Sequence, residues 1–350
     1  MEFLQEVGIF LVQAIVVIAA ILLVLAGAAA MSARRRDGDD GYIEVRRLNE
    51  RYTAYRDAIR SLTEHPQSRK AREKKEKQTA KLDDKEARKR AKNDQSEPDK
   101  KRLFVLNFDG DMLASQVASL REEISALLPE AGEGDEVLVC LESPGGLVHG
   151  YGLAASQLQR IRDAGITLTI AVDKVAASGG YMMACVADKI IAAPFAILGS
   201  IGVVAQLPNF HRLLKKNDID VELLTAGEYK RTLTMFGENT DKGRDKFIDD
   251  LEDTHALFKA FVQAARPVVD IDTVATGEIW YGQTAIDVEL IDELGTSDSY
   301  IQGQLDDADI LEVRYTPKKN WQEKLGIAAE GVVQRGLMRI WQRGSARQLP

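Results

Sequence analysis

The chain is poor in several residue types, and each shortage narrows what its 350 residues can do. It has only two cysteines, Cys140 and Cys185. Both sit in apolar runs, which predicts buried free thiols and leaves the redox compartment unread. No His/Cys/Asp/Glu cluster has the usual metal-ligand spacing, so neither a metal nor a cofactor is expected. Of four histidines, only His149 follows a glycine-rich stretch; His65, His211 and His255 do not. Positive charge is also scarce outside one segment. Residues 69–102 carry 15 Lys+Arg against 8 Asp+Glu, so a net charge of -8 leaves the remainder at -15. An acidic folded part gives no reason to expect nucleic-acid binding. Aromatics are few, at 6%, but 45% hydrophobic residues are ordinary for a globular α/β protein.

What is present divides the chain into four. Gly8 to Ala30 are 23 uncharged residues, long enough to cross a hydrocarbon core of about 30 Å as a helix. The rival reading, a cleaved signal peptide, wants a basic start, whereas this one has Glu2 and Glu6. Residues 1–33 are therefore expected to be a transmembrane anchor. Arg34, Arg35 and Arg36 follow at once, and by the positive-inside rule they favour a cytoplasmic flank. Residues 34–102 read as a juxtamembrane helix and a charged linker. Val45, Leu48, Tyr52, Tyr55, Ile59 and Leu62 recur at heptad spacing. That predicts an amphipathic helix lying on the domain or membrane, or a short coiled coil. The tail, 305–350, holds Trp321, Leu325, Val332, Leu337, Ile340 and Trp341 among basic residues, the pattern of a second amphipathic helix.

Between these, residues 103–304 alternate strand and helix patterns. Strands are expected at 103–108, 137–141, 167–172 and 221–224, and helices at 112–128, 148–161 and 182–186. The rhythm implies βαβ units and a largely parallel sheet. Ile190 to Ala205 is a 16-residue uncharged run, but it is short for a span. Pro194, Gly199, Ser200 and Gly202 interrupt it, so two buried strands with a turn are expected.

Two residues suggest chemistry. Ser178, in Ala177-Ser178-Gly179-Gly180-Tyr181, falls where a strand gives way to a helix, so its hydroxyl projects where backbone N–H groups converge. Lys230, in Gly227-Glu228-Tyr229-Lys230, is a candidate base. An oxyanion formed at Ser178 needs N–H donors. Gly179 is one, and a glycine of Ser143-Pro144-Gly145-Gly146 is another, because loops at the carboxyl ends of parallel strands gather on one edge. Either Gly145 or Gly146 could donate. A lysine base must lose its hydration to accept a proton at neutral pH, and Tyr229, Leu233, Met235 and Phe236 offer apolar surroundings for Lys230. Spacing alone does not prefer Lys230 to Lys174, four residues before the serine, or to Lys189. His149 is a further candidate base.

Taken with Gly199-Ser200-Ile201-Gly202-Val203, these motifs resemble the signal peptide peptidase A family of bacterial membrane serine proteases, most closely its SohB branch. The resemblance covers most of 103–300. It implies a ClpP/crotonase-like α/β fold, and a Ser-Lys dyad with Ser178 as nucleophile and Lys230 as general base. It also implies an oxyanion hole from the glycine loop and Gly179, peptide or protein substrates, and self-assembly into a homo-oligomer at the inner membrane. Relatives usually face the periplasm, opposite to what the flanking charge favours. Met182 stands where the family often has a second aromatic, which touches pocket shape and not the dyad. Two other classes share the pattern: a non-catalytic oligomeric membrane scaffold, and an acyl-CoA enzyme of the crotonase class.

Overall fold

The computed structural model describes residues 41–92 and 100–318. These fall almost entirely in one unit, Ile43–Tyr315; a second, Met1–Tyr42 with Thr316–Pro350, contributes only its innermost residues. The expected anchor at 8–30 and the tail helix at 320–343 lie outside the described residues. Among those described, no helix is long and apolar enough to cross a membrane.

Strand β2 (Arg102–Asp109) shows how the core is organised. Leu103 and Val105 pack on one face of the sheet, and Phe104, Leu106 and Phe108 on the other, the period of two that a strand buried on both sides requires. Helix α3 (Val117–Leu127) leads to β3 (Glu136–Glu142), and α4 (Val148–Asp163) to β4 (Thr167–Val172). Next come β5 (Val175–Ala177), α5 (Gly179–Ala184), β6 (Lys189–Ala192) and β7 (Ile197–Gly199). Strands β2, β3, β4 and β6 pair in parallel, as the alternating pattern predicts. The larger core cluster buries this sheet against α3, α4 and α5, with Tyr151, Leu158 and Tyr181 wholly enclosed.

The run 190–205 does supply two strands, β6 and β7, but they enter different sheets. Strand β7 lies between β5, parallel to it, and β8 (Ile279–Tyr281), antiparallel, in a three-stranded sheet. The long helix α7 (Asp241–Ala265) follows α6 (His211–Lys216) and turns Phe258 and Val262 into the main core. Its first turn is capped by the Thr240 hydroxyl, which accepts the Gly243 N–H at 3.1 Å. Short helices α8 (Ile271–Val274) and α9 (Gly282–Ala285) flank β8, and β9 (Glu293–Leu294) joins β6 at the edge of the main sheet.

The main sheet also runs past residue 304 and begins before residue 103. Strand β10 (Asp309–Thr316) pairs in parallel with β2, and β1 (Tyr42–Arg47) lies beyond it. The heptad segment is helical as α1 (Leu48–Thr63), though Val45 belongs to β1. Leu48 is buried and Tyr52 packs beside it, in the smaller cluster that α10 (Ser297–Gly303) also covers. Asn49 secures this docking. Its amide donates to the Leu305 and Ala308 carbonyls, and its oxygen accepts the Ile310 N–H. From Tyr55 onward the seam is exposed. The charged segment after it forms α2 (Pro66–Lys92).

Candidate active site

Ser178 sits between β5 and α5 with φ 52 and ψ -118, a conformation that costs a non-glycine residue about 1–3 kcal/mol. Its neighbours hold it there. The Ser178 N–H donates to the Gly199 carbonyl at 2.8 Å, and the Met182 N–H to the Ser178 carbonyl at 3.0 Å. The side chain is half-buried, so the hydroxyl remains reachable.

The glycine loop after β3 lies against this turn. The Ser143 N–H donates to the Val175 carbonyl at 2.8 Å, and the Ala177 N–H returns to the Ser143 carbonyl at 3.0 Å, lacing the loop to β5. Gly145, with φ +89, packs so closely that an added Cβ would lie 2.7 Å from the Gly179 nitrogen and 2.8 Å from Ser178 Cβ. Gly146 packs instead on the Met112 backbone. The Gly145 N–H donates to Ser143 Oγ at 3.1 Å, while those of Gly146 and Gly179 have no partner among the described residues. Two free donors beside a strained serine form a setting in which an oxyanion can be held. Three of the four sequence motifs therefore meet at Ser178.

The fourth does not close on it. Lys230 is exposed and, among the described residues, makes no side-chain hydrogen bond or ion pair, to Ser178 or to any other group. Its N–H merely closes a turn onto the Gly227 carbonyl at 3.2 Å. The expected strand 221–224 does not form, because among the described residues no neighbouring strand pairs with it and all four residues face solvent. Nor do Tyr229, Met235 and Phe236 enclose Lys230 within one chain. All three are exposed, and Phe236 stacks instead on Phe210.

Among the described residues, none of the rival bases bonds Ser178 either. Lys174 is exposed and bonds both Glu142 carboxylate oxygens, at 3.0 and 2.8 Å. That bond and the carboxylate charge raise its pKa, the wrong direction for a base. Lys189 pairs with Glu293 at 2.6 Å, and His149 is exposed in the first turn of α4. Both thiols are free, Cys185 buried as expected and Cys140 only partly so, and burial pushes both up to about 12.

Sequence reading missed one set of groups around the loop. Tyr151, which falls within the expected helix 148–161 with no role assigned to it there, places its hydroxyl 2.6 Å from Ser143 Oγ and 2.7 Å from the Asp111 carbonyl. A tyrosine on a wholly buried helix face is the only sequence signal that could have suggested it.

Residues 2–158 match Peptidase family S49 N-terminal, and residues 160–310 match Peptidase family S49. "Probable protease SohB" of Haemophilus influenzae is 52% identical over 292 residues, 83% of this chain and 83% of that protein. The protein of the same name from Buchnera aphidicola subsp. Acyrthosiphon pisum is 54% identical over 242 residues, covering 69% and 72%. Among solved structures, the 1510-N membrane protease specific for a stomatin homolog from Pyrococcus horikoshii is 14% identical. It covers 59% of this chain and 79% of its own, with a TM-score of 0.36. With family matches running over most of its length and relatives above half identity, the chain belongs to peptidase family S49, a family of serine peptidases.

Proposed function

We propose that this peptidase is a membrane-anchored serine endopeptidase that cleaves peptides through a Ser178-Lys230 dyad and an acyl-enzyme. The observation that carries the reading is the left-handed Ser178 beside the free N–H groups of Gly179 and the Ser143–Gly146 loop. Lys230, as a neutral amine, takes the Ser178 proton while Oγ adds to the scissile carbonyl carbon. The oxyanion is held by the N–H groups of Gly179 and of Gly146, since the Gly145 N–H is taken by Ser143 Oγ. Collapse breaks the C–N bond, and the Lys230 ammonium returns its proton to the leaving amine. Lys230 then takes a proton from water, whose oxygen attacks the ester, releasing the acid and restoring Ser178.

Lys230 must be desolvated for this chemistry. A second copy of the chain supplies the cover: Val204, Leu213, Leu224, Tyr229 and Phe236, in the segment that carries the lysine, are large apolar side chains left exposed in the single chain. Residues 8–30 anchor the assembly in a bacterial inner membrane, where membrane-derived peptides, including cleaved signal peptides, are within reach. Protease accessibility in spheroplasts reads the side: digestion of the catalytic domain places it in the periplasm, and protection places it in the cytoplasm.

The test of the nucleophile is covalent. A serine-directed fluorophosphonate should modify one residue, and peptide mapping should place the adduct on Ser178. Labelling elsewhere, or equal labelling of Ser178→Ala, would refute the assignment. An acyl-CoA enzyme on the same fold would give no adduct.

A further inference from the structure

Tyr151 and Ser143 form a hydrogen-bonded chain whose direction can be worked out. The Tyr151 hydroxyl has one proton and two partners, the Asp111 carbonyl and Ser143 Oγ. A carbonyl only accepts, so the Tyr151 proton goes to Asp111 and Ser143 must donate to the Tyr151 oxygen. The Ser143 lone pairs then face away from Tyr151, and one accepts the Gly145 N–H. The chain therefore runs from the Gly145 N–H through Ser143 and Tyr151 to Asp111, every donor pointing the same way, an arrangement in which each bond strengthens the next.

The chain is sealed as well as aligned. Ser143 and Tyr151 are wholly buried. A Cβ at Gly110 would lie 2.4 Å from Ser143 Oγ and 2.5 Å from the Tyr151 hydroxyl, so no solvent or side chain enters there. The Tyr151 ring lies against Gly179, where a Cβ would come 2.4 Å from ring Cγ. Burial raises the phenol above its ordinary value, so it keeps its proton. Packing alone would be met by phenylalanine. A buried hydroxyl, by contrast, costs free energy unless it is bonded.

We infer that Tyr151 is a positioning residue for the Ser178 reaction: through Ser143 Oγ it holds the Gly145 peptide, and with it the loop's free N–H, in place opposite Gly179. The inference rests on the proposed role of Ser178. Removing the hydroxyl leaves the ring in place and frees the loop to turn. Oxyanion donors act on the transition state more than on bound substrate, so kcat should fall with KM nearly unchanged.

The experiment measures peptide-ester hydrolysis and thermal unfolding of full-length Tyr151→Phe, Ser143→Ala, the double variant and Ser178→Ala. Each of the first two should lose about 10- to 100-fold in kcat, the range for a misplaced rather than deleted donor. KM should stay within about twofold, and the unfolding midpoint should fall by a few degrees, since each change leaves a buried partner unbonded, while the protein stays folded at the assay temperature. The double variant should lose no more than the worse single one, since both cut one chain. If Tyr151→Phe fails to fold, Ser143→Ala decides by the same kcat-against-KM split. Parental kcat in the folded variants, with Ser178→Ala inactive, overturns the positioning role alone. An active Ser178→Ala overturns the nucleophile assignment and, with it, the reaction the loop would serve.

Discussion

Peptide hydrolysis by Ser178→Ala falls to the background rate, and Lys230→Ala falls to the same floor. The expected loss is about 10⁶-fold for each, since nucleophile and base act as a unit and removing either removes both. Equality of the two losses is the diagnostic feature. A lysine that only steadied the fold would cost stability and a few-fold in rate, whereas a proton acceptor takes the whole covalent route with it. Lys230 is exposed in the isolated chain, which adds a second arm. If the cover comes from another copy, and the lysine of one protomer serves the serine of its neighbour, mixed Ser178→Ala and Lys230→Ala proteins regain activity after subunit exchange. Mixtures that stay silent while each variant still assembles place the pair within one chain. An active Lys230→Ala would sink the dyad.

Much of the frame that presents Ser178 can be read from sequence, and the limits have physical causes. Strands β2, β3 and β4 are long apolar runs buried on both faces, so composition and length suffice to find them. Strands β5, β7 and β8 have three residues each, too few to show any periodicity, yet they make the sheet that ends at the nucleophile. The strand-like run 221–224 fails for the opposite reason. Its residues favour extended structure, but β propensity is realised only against a neighbouring strand, and none lies there among the described residues. The serine was legible because Gly179 and Gly180 after it leave few other uses for the turn. The lysine was legible only by family resemblance, since nothing local in one chain separates it from other exposed lysines. Tyr151 was hidden by its helix, where an aromatic among Ala154, Ala155 and Leu158 reads as packing. Its hydroxyl becomes informative only once Ser143 and Asp111, eight and forty residues away, are seen beside it.

Gly145→Ala should lose at least about 100-fold in kcat and remain folded. Two costs coincide at this position. At φ +89 an alanine is strained by about 1–3 kcal/mol wherever it sits. Its methyl would also press on the Gly179 nitrogen, the Ala177 carbonyl oxygen and Ser178 Cβ, all within 2.8 Å. Two of these three are backbone atoms laced into β5 and α5, and they cannot swing aside as the end of a long side chain would. The loop must move instead, and it carries the donors with it; a displacement of about 1 Å is enough for the predicted loss. Gly134 separates the two costs. It has nearly the same φ, +90, but no atom within 4 Å of a built Cβ. Gly134→Ala should therefore show the strain as a lowered unfolding midpoint while keeping kcat within about threefold of the parent. Equal activity in both variants would mean that the approach of Gly145 to Ser178 has no part in the chemistry.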